Sequence, residues 1–169
     1  TARLPVGVHE GEIVLRPLRP LEAVRIPVTI EVVPPEPDYI DLQWSTYLGG
    51  GGDDFKGGVG TDGAGNVYTV GMTRSGDFPT SAAFDSSHNG REDVTLTKFT
   101  PHGRLIWSTY FGGTGLDLAT EIAVNQAGNV YLAGETDSID LPTSGAFNTV
   151  IGGGDAFAVK FDTNGDMVW

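Results

Sequence analysis

The heptapeptide Trp44-Ser-Thr-Tyr-Leu-Gly-Gly50 reads WSTYLGG, and residues 107–113 repeat it as WSTYFGG. The two copies are 63 residues apart, and a third tryptophan, Trp169, follows 62 residues after Trp107. A fixed spacing of this length indicates a repeat architecture in which each copy forms one supersecondary unit. The heptapeptide therefore sets the frame in which the rest of the chain is interpreted.

Other motifs recur in the same order at nearly the same offset. They are Ala-Gly-Asn-Val-Tyr at 64–68 and 127–131, Asp-Phe/Leu-Pro-Thr-Ser at 77–81 and 140–144, Ala-Phe at 83–84 and 146–147, and Lys-Phe at 98–99 and 160–161. The offset is 63 for the first three motifs and 62 for the last, so one residue is lost in the loop between them. A connecting loop tolerates such a change without disturbing the unit itself.

Each copy contains four strand candidates separated by turn residues. In the first copy they cover residues 55–61, 67–73, 94–100 and 105–111. Short glycine-containing segments join the first two strands and the last two, as in β-hairpins, and a long loop at 74–92 separates the pairs. Four antiparallel strands per repeat are typical of a β-propeller blade. We therefore predict an all-β fold with two four-stranded antiparallel blades, the second of them truncated.

The heptapeptide marks the junction between blades in this arrangement. It is predicted to form the outermost strand of one blade and the turn into the innermost strand of the next. By this rule residues 42–49 are the fourth strand of a preceding blade, and the second blade has only started its own fourth strand at Trp169. We also expect the 169 residues to be a piece of a longer polypeptide.

The first 33 residues follow a different pattern. Strand candidates lie at 12–16 and 24–33, and in the second of these apolar residues alternate with Arg, Pro, Thr and Glu, the period of a half-buried strand. The segment resembles the last strands of bacterial immunoglobulin-like domains, and two or three strands cannot close a sandwich alone. We predict a partial Ig-like β segment at 1–33, a proline-rich linker at 34–41 and propeller repeats at 42–169.

The string of motifs from residue 42 onward is similar to the bacterial β-propeller repeat family called SBBP. The resemblance rests on the tryptophan heptapeptide, the Ala-Gly-Asn-Val-Tyr hairpin, the Asp-Phe/Leu-Pro-Thr-Ser loop and the segment Gly-Asp-Ala-Phe-Ala-Val-Lys-Phe at 154–161, all in a fixed order. It implies propeller blades in large secreted or cell-surface bacterial proteins, frequently beside immunoglobulin-like modules. The family brings no catalytic residue that can be transferred to this chain.

Composition narrows the classes of partner. The 25 glycines and 10 prolines favour short strands joined by tight turns. A formal charge of −12 disfavours nucleic acid and anionic lipid, because the chain and those partners repel each other. The chain has no cysteine, which excludes disulfides and thiolate sites, and no apolar run long enough to cross a membrane.

Two groups of aspartates are candidates for calcium, which binds six to eight oxygen ligands. Neither group continues into the glutamate-terminated loop of an EF-hand, so solvated turn carboxylates are the favoured interpretation. A phosphate loop at 49–54 is disfavoured, since it needs a following helix and a lysine in register. The calcium candidates are Asp53, Asp54, Asp162 and Asp166.

Residues that recur in both copies are expected to serve the repeat itself, through packing, turn capping and pairing between blades. Catalysis and carbohydrate stacking on aromatic rings are the less favoured roles for these positions. They are Trp44, Tyr47, Asn66, Tyr68, Asp93, Trp107, Tyr110, Asn129, Tyr131 and Asp155, with Lys98 and Lys160 near the end of the third strand.

Positions where the copies differ are candidates for a specific activity. Glu121 and Glu135 stand where the first copy has Gly58 and Met72, and we expect them on one face of a hairpin as near-diagonal neighbours. Such a carboxylate pair can hydrolyse a glycoside, although exposed acidic side chains are the commoner case. The three histidines lie far apart in the sequence, and no serine or acid is placed to complete a triad.

Three classes of function follow from these observations. We favour a non-catalytic structural or adhesive module of an extracellular or cell-surface bacterial protein. A carbohydrate-binding propeller module is the alternative, and a fragment of a glycoside hydrolase or lyase comes third. Two blades leave apolar faces uncovered, so we expect further blades, or copies of the chain that share strands in a ring or filament, to cover them.

Overall fold

The computed structural model describes residues 42–169 in full and, in the first 41 residues, the backbone of two strands. These strands are β1 (Gly7–Leu15) and β2 (Val24–Val32), which pair antiparallel from Gly7 opposite Val32 to Leu15 opposite Val24. The alternating segment of the sequence thus forms β2. The rest of the predicted Ig-like segment and the predicted linker at 34–41 lie outside the described residues.

The first repeat forms a four-stranded antiparallel sheet, which we call the first blade. Its order is β3 (Asp54–Thr61), β4 (Val67–Thr73), β5 (Asp93–Phe99) and β6 (Leu105–Phe111). Each strand lies within one residue of its predicted position. The all-β prediction is confirmed: in the described residues every regular element is a strand, and no helix has the length and apolarity needed to cross a bilayer.

The second repeat forms a three-stranded antiparallel sheet, the second blade. Its order is β7 (Asp117–Val124), β8 (Val130–Thr136) and β9 (Asp155–Phe161). A fourth strand is begun at its edge, where Val168 donates its amide to the Lys160 carbonyl and Lys160 donates to the Trp169 carbonyl, each at 2.8 Å.

The prediction of a strand at 42–49 is wrong. Residues 42–50 have no regular secondary structure. A β-strand is held by hydrogen bonds to a neighbouring strand, and no strand lies beside this segment in the described part of the chain. Trp44 nevertheless packs on Phe99, with ring centroids 5.5 Å apart, while Tyr47 is fully exposed.

The hydrophobic core lies between the two blades. Val70 and Leu96 of the first blade meet Leu132 and Val159 of the second, and all four side chains are buried. Phe111 closes one end of this layer, 5.6 Å from the Phe157 ring and 5.7 Å from the Phe161 ring. Neither sheet can bury this face alone, so the two repeats stabilise each other.

Glycines on β3 let the innermost strands of the two blades approach closely. A β-carbon added to Gly58 would lie 2.7 Å from Ile122 Cγ2, and one added to Gly60 would lie 2.7 Å from Val124 Cγ2. Contacts of this length are far inside van der Waals distance, so only glycine fits while the blades keep their separation. These glycines therefore fix how tightly β3 packs on β7.

We predict that Gly58→Ala lowers the free energy of unfolding by about 1–3 kcal/mol, the usual cost of overpacking a close contact. Gly76→Ala is the control, because no atom lies within 4 Å of the added β-carbon there. Urea unfolding of both variants provides the measurement. Equal stability of the two variants would contradict this account of the junction.

Candidate functional site: the blade junction

The turn between the blades is held by one buried carboxylate. Asp117 accepts three hydrogen bonds: from the Gly113 amide at 2.8 Å, from Ser138 Oγ at 2.7 Å and from Thr136 Oγ1 at 2.5 Å. The bonds join the Gly-Gly turn after β6 to the end of β8. The carboxylate thereby couples the last strand of the first blade to the middle of the second.

The first blade contains the same arrangement. Asp54 accepts from the Gly50 amide at 2.9 Å, from Ser75 Oγ at 3.1 Å and from Thr73 Oγ1 at 2.5 Å. The threonine and serine partners were not among the residues predicted from the sequence. Their signal was the pattern Thr-x-Ser-x-Asp, which recurs at 73–77 and 136–140 with the common offset of 63.

The structure does not bring the calcium candidates together. Asp54 belongs to the network above, and Asp53 lies 3.4 Å from Arg74 Nη1. Asp162 caps its own turn, accepting from the amides of Asn164 at 2.8 Å and Asp166 at 3.1 Å. Within residues 42–169 no three His, Cys, Asp or Glu side chains are grouped so that they could hold a metal ion.

Each tryptophan of the heptapeptide docks onto the last hairpin turn of the blade that follows it. Trp107 Nε1 donates to the Thr163 carbonyl at 3.1 Å, and its ring covers Gly165, whose φ is +91°. Trp44 Nε1 donates to the Pro101 carbonyl at 3.0 Å, the matching position of the first blade. Both tryptophans are therefore contacts between consecutive repeat units.

Lys98 makes a second contact between the blades. Its Nζ donates to the carbonyl and to Oγ1 of Thr163, both at 3.1 Å, and lies 5.0 Å from the centre of the Tyr68 ring. Burial lowers the pKa of Lys98, which the nearby carboxylates of Asp62 and Asp162 partly offset. In the second blade Lys160 lies 5.7 Å from the Tyr131 ring on an exposed face.

Asp93, the first residue of β5, is completely buried. One carboxylate oxygen accepts from the Asn89 amide at 2.8 Å, and the other has no hydrogen-bond partner within the described residues. Burial raises the pKa of Asp93, and the carboxylate of Asp117 adds to the increase, whereas the Asn89 bond and His88 act against it. Its repeat counterpart Asp155 is exposed and accepts from the Gly152 amide at 3.0 Å.

Among the remaining repeated residues, Tyr68 places its hydroxyl 3.0 Å from Asp62 Oδ2 in its own blade and 3.3 Å from the Gly128 carbonyl of the second blade. Three others act within single blades. Tyr110 donates its hydroxyl to the Ser75 carbonyl at 2.7 Å, which ties β6 to the long loop. Asn66 donates Nδ2 to Asp62 Oδ2 at 2.8 Å, and Asn129 donates to Asn125 Oδ1 at 3.3 Å, each within its hairpin turn.

Glu121 and Glu135 lie on the exposed face of the second blade. Glu121 pairs with Ala133, two residues from Glu135 along β8, so the two side chains occupy adjacent diagonal positions. His88 Nε2 lies 3.3 Å from the Thr73 carbonyl, and His102 is exposed on a turn. The side chain of His9 is outside the described part of the chain.

Two segments of the chain match a family model described as the SBBP β-propeller repeat. The matches cover residues 43–79 and 106–142, so each runs from the tryptophan heptapeptide of one unit into the long loop of the next. The resemblance to this family is thereby confirmed. No curated protein matches the chain.

We predict that Asp93→Asn raises stability at neutral pH relative to the wild type. The pKa of Asp93 is raised above 3.8 in the folded state, so below that pH the carboxyl group is mostly neutral in both the folded and the unfolded protein and its burial costs no charge. As the pH rises through the folded-state pKa, the wild type loses stability because the buried carboxyl group ionises. The asparagine keeps the acceptor for Asn89 and carries no charge. Urea unfolding from pH 3.5 to 8 measures the difference, which is expected to grow with pH; a constant difference would contradict the burial of an ionised carboxylate.

Proposed function

Since the chain carries two SBBP β-propeller repeats, we propose that it is a non-catalytic structural and adhesive module of a secreted or cell-surface bacterial protein. The observation that carries this proposal is the use of the repeated polar residues. Asp117, Trp107 and Lys98 all bind main-chain or side-chain groups of the neighbouring unit. Side chains that make these hydrogen bonds connect one blade to the next. Because their polar atoms are already bonded within the protein, they are not available to react with a substrate.

Carbohydrate binding is a second candidate, favoured by exposed aromatic rings on the second blade. Tyr131 and Trp169 are 37% and 46% exposed, and their ring centroids are 6.5 Å apart. Aromatic faces of this kind can stack on a sugar ring, with Lys160 available to donate to a hydroxyl group. Titration with oligosaccharides, followed by tryptophan emission and compared with Tyr131→Ala, tests this candidate.

A hydrolytic role finds little support in the carboxylate pair. Glu121 and Glu135 are exposed to solvent on one face of the sheet, whereas the two carboxyl groups of a glycosidase flank the scissile bond of the bound sugar. The pair is better explained as part of a blade face that meets another surface.

We predict that the Glu121→Gln, Glu135→Gln double variant keeps the adhesion of cells that display the protein, while Asp117→Ala reduces adhesion and unfolding free energy together. The second change leaves the Gly113 amide, Thr136 and Ser138 without their shared acceptor, which costs about 2–4 kcal/mol by the usual value of bonds to a buried charge. Cell retention on a coated surface and urea unfolding are the measurements. Loss of polysaccharide turnover in a folded double variant would instead establish an enzyme.

A further inference from the structure

Two buried carboxyl groups meet where the first blade packs on the second. Asp93 is the first residue of β5 and Asp117 is the first residue of β7, and both are completely buried. A β-carbon added to Gly112 would lie 2.6 Å from Asp93 Oδ1 and 2.9 Å from Asp117 Oδ2. One oxygen from each blade therefore approaches the same point beside the turn.

The oxygen that Asp93 directs towards Asp117 has no partner. Asp93 Oδ2 accepts from the Asn89 amide at 2.8 Å, whereas Oδ1 accepts no hydrogen bond within the described residues and is shielded from solvent. Buried polar atoms of folded proteins are almost always bonded to the protein, to ordered water or to an ion. The unpaired oxygen therefore indicates that a further group binds at this point of the junction.

Asp117 does not supply that group. Its carboxylate already accepts from the Gly113 amide, from Ser138 Oγ and from Thr136 Oγ1. Three donors favour the ionised form of a carboxyl group, and an ionised Asp117 has no proton to donate to Asp93. Two buried carboxylates at this separation repel each other unless a positive charge lies beside them.

A main-chain oxygen lies next to the same point. The Gly113 carbonyl oxygen would be 2.5 Å from a β-carbon added to Gly90, and Asp93 Oδ1 would be 3.2 Å from that atom. Gly113 is buried, and no hydrogen bond to its carbonyl is found in the part of the chain that the structure describes. Three oxygens therefore converge at the junction, two of them from carboxylates.

No lysine or arginine balances the charge of these two carboxylates. Across residues 42–169 neither Asp93 nor Asp117 takes part in an ion pair. His88 is near enough to act on Asp93 electrostatically, but its Nε2 lies 3.3 Å from the Thr73 carbonyl. The charge of the two carboxylates is therefore left for a bound cation to balance.

We propose that a calcium ion binds at the blade junction between the carboxylates of Asp93 and Asp117, with the Gly113 carbonyl as a third ligand. The donors are all oxygen atoms, which suit a hard cation better than zinc or copper. Calcium takes six to eight oxygens in flexible geometry, so water and further main-chain carbonyls complete the set. The hydrogen bonds from Ser138 and Thr136 then orient the Asp117 carboxylate as a ligand.

The ion joins the two repeats directly. Asp93 belongs to the first blade and Asp117 to the second, so calcium adds a polar link to a junction otherwise held by apolar packing and hydrogen bonds. With only two charged ligands, the dissociation constant is expected at about 10⁻⁴–10⁻³ M, the range of extracellular calcium modules. The site itself does not depend on the adhesive role proposed above.

Urea unfolding of the chelator-treated 169-residue chain, with and without calcium chloride, tests the proposal. At about ten times its dissociation constant, calcium is expected to raise the folding equilibrium constant of the wild type about tenfold. Calorimetric titration is expected to show one ion bound per chain. Asp93→Asn removes a charged ligand and keeps the acceptor for the Asn89 amide, so this variant should fold and lose both responses. Its advantage over the wild type at neutral pH, expected without calcium, should shrink by the same factor when calcium is added.

Matched controls are needed because any cation stabilises a chain of net charge −12 through screening. Asp155→Asn makes the same change at the repeat position of Asp93, where the side chain is exposed, and is expected to keep the calcium response. Magnesium chloride at the same concentration should act much less, because magnesium demands near-ideal octahedral geometry. Equal effects of the two metals on the wild type, an undiminished calcium response in Asp93→Asn, or no calcium bound in the titration overturns the proposal.

Discussion

The close packing of one sheet face on the next is the constraint on which the rest of this structure depends. A four-stranded sheet has two faces, and the apolar rows on β4 and β5 are buried only because β7, β8 and β9 lie on them. Glycines on β3 permit the approach, and the Asp117 network fixes the turn at which the chain passes from one blade to the next. Apolar burial supplies the stabilisation and the polar network supplies the alignment.

The two outward faces depart from this internal pattern in related ways. On the second blade Val70, Leu96 and Met72 are replaced by Ala133, Ala158 and Glu135, which removes apolar volume and adds charge. On the first blade Thr95 and Thr97 stand where the second blade has Phe157 and Val159. The hydroxyl of Thr97 is hydrogen-bonded to Ser108 Oγ at 2.8 Å. A surface of this kind favours a more polar and more selective contact than the internal junction.

The sequence predicted the strands and their order well, because hydrophobic alternation and glycine turns are local signals and were present twice. The predicted strand at 42–49 is absent, since a strand also needs a neighbouring strand to bond to, and the heptapeptide sequence does not show whether such a neighbour is present. The polar network was overlooked for a similar reason. Thr136 and Ser138 lie more than 18 positions from Asp117, and only the folded sheet brings these atoms within bonding distance. The exposure of Glu121 and Glu135 likewise depends on which face of the second blade packs against the first blade.

The docking of each tryptophan onto the following blade has a consequence for synthesis on the ribosome. Trp107 leaves the exit tunnel 56 residues before Thr163, the residue whose carbonyl accepts its indole N–H. The last strand of a blade can therefore pair within its own sheet early, but it is locked only when the next unit has emerged and formed its second hairpin. During synthesis each blade would thus become fully stable only after the following blade has been translated and has folded against it.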